Sequence, residues 1–232
     1  MSQDTPAKTA LHVEFTHVET WIFDLDNTLY PAECRLFDQI DKRMTGFIAD
    51  ALDLSAAEAD GLRTTYWHRY GTTLAGLMQE HGIAPGDFLS HVHDIDLAHV
   101  EPDRPLQTAI DALPGRKVVY TNGSREHGER VTAQLGLRTS FEAIYGIEDS
   151  RYYPKPQREA FEHVLSHSGI EPTRSAMIED TARNLLVPHD LGMRCIWVPT
   201  TDEKAREGAE GEHVHHIAED LTEFLSRIIS QP

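Results

Sequence analysis

Trp21-Ile22-Phe23-Asp24-Leu25-Asp26-Asn27-Thr28-Leu29-Tyr30 is an apolar run that ends abruptly in two carboxylates two residues apart, followed by a hydroxyl. The run from Val18 to Phe23 predicts a strand buried on both faces, as in a parallel sheet covered by helices. In such sheets ligands sit in the crevice outside the carboxyl ends of the strands. The strand therefore delivers Asp24 and Asp26 to a site, and alternation places both on one face.

Outward from this strand the apolar period changes twice. Lys117 to Tyr120, Ala143 to Tyr145, Ser175 to Ile178 and Arg194 to Val198 read as further strands. Between them Arg125 to Leu135, Gln157 to Ser168 and Thr181 to Leu191 read as helices, each followed by a glycine suited to a left-handed cap: Gly136, Gly169 and Gly192. Pro188 predicts that the last of these is short or kinked. The alternation predicts an α/β fold with a Rossmann-like parallel sheet.

From Pro31 to about Pro105 the pattern is helical almost throughout: Leu36 to Leu52, Ala56 to Tyr70, Thr72 to His81 and Asp87 to Leu97, with Ser55 and Glu58 as a capping box. The expected organisation is a core domain over 1–30 and 106–232 with a helical cap domain over 31–105, most simply a lid on the crevice. Thr201 to Glu212 reads as a loop, and Ile217 to Ile229 as a closing helix.

Composition narrows the chemistry. The 232 residues carry a formal charge of −17, which disfavours duplex nucleic acid and admits an acidic small ligand only beside a local cation. Cys34 and Cys195 follow no CxxC spacing, Met1 to Thr9 has no long apolar stretch, and no apolar run is long enough to span a membrane. The expectation is a cytoplasmic protein with no membrane partner.

Three further landmarks end or flank predicted strands: Thr121-Asn122-Gly123-Ser124, Tyr153-Pro154-Lys155-Pro156, and Ile178-Glu179-Asp180. Taken singly, each has a plain reading as a turn, a surface lysine or a helix cap. Taken together, the fold would gather them with Asp24 and Asp26 along one sheet edge. Two carboxylates about 4 Å apart repel by roughly 4 kcal/mol at an effective dielectric of 20, so the cluster demands a cation. Hard oxygen donors without histidine or cysteine favour magnesium.

These residues resemble the haloacid dehalogenase superfamily of phosphohydrolases: Asp24-Leu25-Asp26-Asn27-Thr28 as DxDxT, then Thr121-Asn122-Gly123, Lys155 and Glu179-Asp180, in the right order from Val18 to Pro199. Asn27-Thr28-Leu29-Tyr30-Pro31 and Thr181-Ala182-Arg183-Asn184-Leu185 look like the pyrimidine 5'-nucleotidase branch, which more often has two aspartates where Glu179-Asp180 stands.

The resemblance implies that Asp24 is the nucleophile, that Asp26 protonates the leaving oxygen and later activates water, and that Thr121 with the amide of Asn122 holds the phosphoryl oxygens. Lys155 would neutralise charge. Magnesium would be held by Asp24, the carbonyl of Asp26 and Asp180, with Glu179 a ligand through water or a partner behind it. Asn122, Gly123, Thr28 and Tyr30 would line the substrate, with Tyr30 and Phe37 near the leaving group. Asp26's double role calls for a pKa near the working pH, which a neighbouring carboxylate would help to raise.

The implied substrate is a small phosphorylated metabolite, a pyrimidine nucleoside monophosphate first; a sugar phosphate or phosphoglycolate is the runner-up, and an inactive binding protein the distant third. No GxxxxGK[ST], GxGxxG or Arg-His-Gly appears, and neither cysteine is followed six residues on by arginine. His91, His93, His213, His215 and His216 read as polar surface, and Tyr66, Trp67 and Tyr70 as packing between cap helices.

Overall fold

Strand β1 (Thr20–Phe23) is the hub of the computed structural model, which describes residues 11–229. The outermost parts of the expected core segments, 1–10 and 230–232, and the amino-terminal stretch read above as lacking an apolar leader lie outside the described residues. β2 (Arg116–Tyr120), β3 (Ala143–Tyr145), β4 (Ser175–Glu179), β5 (Arg194–Trp197) and β6 (His216–Ile217) complete one parallel sheet in the order β3-β2-β1-β4-β5-β6. The chain runs outward from β1 on one side and restarts at β4 on the other. The order therefore reverses between β1 and β4, the kind of point outside whose strand ends open α/β sheets bind ligands.

Alternation along the strands separates two apolar layers. Trp21, Phe23, Val119, Ile178 and Ile196 face one layer, while Ile22, Val118, Met177, Cys195 and Trp197 face the other. Both faces are covered, which is why the strands read as unbroken apolar runs. β1 begins at Thr20 rather than Val18, because the Val18 amide closes a turn onto the Phe15 carbonyl (3.0 Å).

β6 was not foreseen. Ile217 pairs with Trp197, so the closing helix starts at Leu221 instead of Ile217. Pro188 sits in a helix of only five residues, Leu186–Asp190, entered through a 3-10 turn, as its ring demands. Gly136, Gly169 and Gly192 all hold positive φ after their helices.

The insertion between β1 and β2 consists of helices Leu36–Leu52, Ala56–Tyr70, Thr73–His81 and Pro85–Val92. Ser55 and Glu58 form the capping box reciprocally. The helices share their own apolar cluster, Ile48, Ala59, Tyr66, Leu74, Leu77, Phe88, Leu89 and Val92, joined by Ile147 from the loop after β3. The last cap helix ends at Val92, not Leu97. A separate helix, Arg104–Ala112, then packs against Leu221–Ile229 on the sheet. Pro105, about where the helical segment was expected to end, occupies the first turn of this helix, where no amide partner is lost, and Asp103 caps the helix through the Leu106 amide (2.9 Å).

Gly115 brings the chain from this helix back into the sheet at φ 80°, where an added Cβ would lie 2.3 Å from the Glu19 carbonyl oxygen. Neither strain nor clash can be relieved by a side-chain movement. Gly115→Ala is expected to lower stability by roughly 2 kcal/mol or more, read as a fall in Tm of about 4 °C or more; an unchanged melting curve would contradict this path into β2.

Candidate active site

The carboxyl ends of β1 and β4 carry the acids. Asp24 follows Phe23, with its amide held by the Ile178 carbonyl (2.9 Å), and Glu179 closes β4 with Asp180 next to it. Carboxylate oxygens of Asp24, Glu179 and Asp180 all lie within 4.8 Å of one another, and all three residues are buried. Lys155 enters from the loop after β3. Its Nζ donates to Asp24 Oδ1 (2.7 Å), Glu179 Oε2 (2.7 Å) and the Tyr120 carbonyl (2.9 Å), and the side chain is 1% exposed. An ammonium with all three protons committed is a fixed counter-charge rather than a mobile surface group. The plain surface reading of Lys155 is thereby excluded.

One ammonium does not balance three carboxylates. Burial, then the Glu179 charge, push Asp24 up to about 7 against the pull of Lys155. Burial and the Glu179 and Asp24 charges likewise raise Asp180 well above the carboxylate range. Glu179 is bonded on both oxygens, since Oε1 accepts from the Thr181 amide (3.3 Å) and Asn184 Nδ2 (3.2 Å). The donor set fits a hard divalent cation. Its oxygens converge, and the group lacks positive charge that such an ion would supply.

Asp26 lies outside this cluster and in a different environment from the one expected. The chain leaves strand geometry after Phe23, Asn27 takes φ 60°, and the Leu29 amide bonds back to the Leu25 carbonyl (2.9 Å). A turn, not strand alternation, sets the direction of Asp26. Its Oδ1 accepts from Tyr30 Oη (2.6 Å) and His127 Nε2 (2.9 Å), and its Oδ2 from Thr121 Oγ1 (3.4 Å). Burial alone would raise its pKa. The His127 ring and the hydrogen bonds of His127 and Tyr30 outweigh that and hold it at about 2. The expectation that the neighbouring carboxylate raises Asp26 is therefore corrected: Asp24 carries the raised value, and the His127 ring with the His127 and Tyr30 donors depresses Asp26.

His127 has one legible signal in the sequence, its place in the first turn of helix Arg125–Gln134, directly after Thr121-Asn122-Gly123-Ser124. The motif reading stops one turn short of it. His93, read as polar surface, is half-buried and stacks on His127 with centroids 4.4 Å apart and planes 15° from parallel. Burial, then the His127 ring, push His93 down to about 3. His213 is also buried, 8% exposed, rather than on the surface.

The remaining expected residues divide. Thr121 accepts from the Gly123 amide (2.9 Å) while bonding Asp26, so its hydroxyl is shared between turn and site. Asn122 uses its side chain to hold the lysine loop, accepting from the Lys155 amide (2.8 Å) and donating to the Lys155 carbonyl (3.2 Å). Thr28 Oγ1 is buried without a hydrogen-bond partner. Tyr30 is buried with its hydroxyl spent on Asp26, whereas Phe37 is 39% exposed. In the cap, Tyr66 donates to or accepts from His81 Nε2 (2.6 Å) and Tyr70 bonds Glu80, as packing residues do. Trp67 departs from them. Its ring meets Arg183, 3.9 Å away, and Lys204, 5.5 Å away, both on the core side.

The chain is similar to known proteins in sequence and in fold. The chain is 25% identical over 193 residues to phosphate metabolism protein 8 of Saccharomyces cerevisiae, covering 75% of this chain and 60% of that protein. It is 29% identical over 152 residues to enolase-phosphatase E1 of Thioalkalivibrio sulfidiphilus, covering 64% of this chain and 61% of that protein. The chain thus spans about three fifths of the length of these curated relatives. In fold it is similar to CbbY of Rhodobacter sphaeroides in complex with phosphate (TM-score 0.57, 19% identity, 86% of this chain and 93% of that one). It is similar in the same sense to a HAD phosphatase of Thermococcus onnurineus (TM-score 0.56, 14% identity, 86% and 93%). Residues 18–192, from the turn before β1 to the glycine after helix Leu186–Asp190, match the haloacid dehalogenase-like hydrolases, and the chain belongs to that family.

Proposed function

We propose that the protein is a magnesium-dependent phosphohydrolase that cleaves a small phosphate monoester through an aspartyl-phosphate, with a pyrimidine nucleoside 5'-monophosphate as its substrate. The observation that carries this reading is the Lys155 ammonium set between Asp24 and Glu179 inside a buried acidic triad. Such a site repels anions until a cation enters, and then offers a nucleophile and a fixed positive charge to a phosphoryl group.

In this reading Asp24 attacks phosphorus, a bond forms from its carboxylate oxygen, and the bond to the leaving oxygen breaks. Asp26 gives its proton to that oxygen. The incoming phosphate brings negative charge beside Asp26 and so raises a proton affinity that the free site keeps low. Ionised again, Asp26 takes a proton from the water that cleaves the acyl phosphate. Thr121 and the Asn122 amide hold phosphoryl oxygens, and Lys155 balances their charge.

Asp24, Asp180 and the Asp26 carbonyl would hold magnesium, with Glu179 behind them on Lys155 and Asn184. Magnesium when bound supplies the positive charge that lets these acids ionise together and draws charge from the phosphoryl oxygens. The helical insertion, 31–105, serves as the cap domain over the crevice, and the cytoplasm is the proposed setting. The nucleotidase reading rests on the match of Asn27 to Pro31 and Thr181 to Leu185. Hydrolysis of sugar phosphates is the second reading; a variant of CbbY, a protein similar in fold, was solved in complex with xylulose-(1,5)bisphosphate.

Phosphate release from uridine, cytidine and adenosine monophosphates and from sugar phosphates, with and without magnesium, tests both. Uridine or cytidine monophosphate should be preferred by about tenfold or more in kcat/KM, a discrimination of roughly 1.4 kcal/mol. Equal rates would remove the nucleotidase assignment, and no release at all would remove the phosphatase one. Asp24→Asn is expected to lower kcat by about a thousandfold or more without loss of fold.

The triad also makes a prediction independent of turnover. Asp24 is raised from 3.8 to about 7, so the folded protein binds more protons than the unfolded chain between those values. Stability of the metal-free protein therefore falls as pH rises through that window. Magnesium competes with those protons, so its addition should raise Tm more at pH 8 than at pH 5. Equal shifts at both would place the ion elsewhere.

A further inference from the structure

Asp26 must present its carboxyl to two successive partners, and the chain fixes that carboxyl from a residue 101 positions away. His127 is 1% exposed, its amide is tied to Ser124 Oγ (3.2 Å), and its Nε2 donates to Asp26 Oδ1 (2.9 Å). On one side the space beside the ring is closed by Gly123, where an added Cβ would lie 3.2 Å from His127 Cδ2 and 3.3 Å from Thr121 Oγ1. His93 covers another face in a near-parallel stack and bonds Ser124 Oγ through Nδ1 (2.9 Å). The imidazole has no free rotamer.

His93 is also the first residue past the last cap helix, Pro85–Val92. The returning segment of the hinge is clamped there: Arg130, one helical turn beyond His127, donates Nη1 to the His93 carbonyl (2.6 Å) and Nη2 to the Ile95 carbonyl (3.0 Å). From the cap side, Arg43 of helix Leu36–Leu52 donates to the His91 carbonyl (2.6 Å). One continuous set of contacts thus runs from a cap helix through the hinge to the carboxyl of Asp26.

We infer that His127 is the positioning residue for Asp26 in leaving-group protonation, and that His93 locks it there, so that the acid is aimed only while the hinge is seated on helix Arg125–Gln134. This rests on the phosphohydrolase reading. The pair acts through geometry, because the Nε2–H occupies one lone pair of Oδ1 and fixes the plane of the carboxyl against the leaving oxygen. Loss of the ring leaves that plane to Tyr30 Oη (2.6 Å) and the longer Thr121 contact (3.4 Å), which loosens it, and the cost falls on substrates whose leaving oxygen needs a proton.

The test compares kcat/KM, which reports only steps through phosphoryl transfer, on p-nitrophenyl phosphate and on an alkyl phosphate that the wild-type enzyme hydrolyses. The first leaving group departs without protonation; the second does not. His127→Ala should lower kcat/KM on the alkyl phosphate by about 30-fold or more while lowering it on p-nitrophenyl phosphate by less than about threefold. His127→Gln, which restores an N–H donor, should recover part of the loss, and His93→Phe, which restores the stack, should stay near wild type. His93→Ala should show the same leaving-group bias at smaller size.

Equal losses on both substrates, or no loss on either, would overturn the inference. Should His127→Ala fail to fold, the glutamine variant and the two His93 variants carry the same comparison. Wild-type enzyme that releases phosphate from neither substrate would overturn the phosphohydrolase reading itself, a result distinct from an unbiased variant.

Discussion

A fully buried lysine between two acids is the constraint on which the site depends. Moving an ammonium out of water costs several kcal/mol, and attraction to a carboxylate repays that only when geometry is close and the remaining protons find acceptors. Lys155 meets these conditions with three acceptors at 2.7 to 2.9 Å. Its two acids come from different strands and its carbonyl from a third, so the contact exists only when β1, β2 and β4 are in register. Thr20 faces Arg116 on one side and Ser175 on the other, and that pairing sets where all three strands stop. The sheet is thereby linked to the charge cluster: a slip of one residue would turn every apolar side chain to the wrong layer and separate the ammonium from its partners.

The same cluster explains why the loop carrying Lys155 is held so firmly. Asn122 bonds both the amide and the carbonyl of Lys155, and it lies two residues beyond Tyr120, whose carbonyl takes the third ammonium proton. The turn after β2 therefore has two roles in adjacent residues. In the proposed reaction the Thr121 hydroxyl and the Asn122 amide hold phosphoryl oxygens, and the Asn122 side chain fixes the lysine loop. Sequence position alone does not reveal the second role, which is why the bracing by the Asn122 side chain was not read.

What was legible in the chain followed from local pattern. The five long enough strands, the cap helices up to His81 and the glycine-ended helices are each specified within about ten residues by periodicity and caps. The four motif sites are legible because parallel strands bring their carboxyl ends to one edge whatever lies between. Contacts set by distant residues were not legible. β6 is two residues long and is made a strand only by pairing with β5. Helix Arg104–Ala112 straddles the boundary expected at about Pro105, and its packing against Leu221–Ile229 is set by a distant part of the chain. Asp26 looked like an acid raised by its neighbour because nothing near it in sequence reveals His127, and Trp67 looked like Tyr66 and Tyr70 because helical spacing does not say which face meets another module.

Charge over two ranges then decides what such a site can accept. The chain carries −17 overall, but at physiological ionic strength fields fade over about 8 Å, so acids on remote faces act weakly on a ligand in the crevice. The local balance is set by few groups. Lys155 is committed, burial and neighbouring acids raise Asp24 and Asp180, and further positive charge comes from Arg183 and Lys204, gathered on the Trp67 ring. Burial weakens Arg183's hold on its proton while Glu207 and Glu179 strengthen it, so this guanidinium feels the acidic site directly. Its Nε is buried without a partner, a cost that a well-packed core residue would not carry. The helical insertion and the core therefore meet there through cations on an aromatic face, an attraction of charge to the ring's π system rather than an apolar seam.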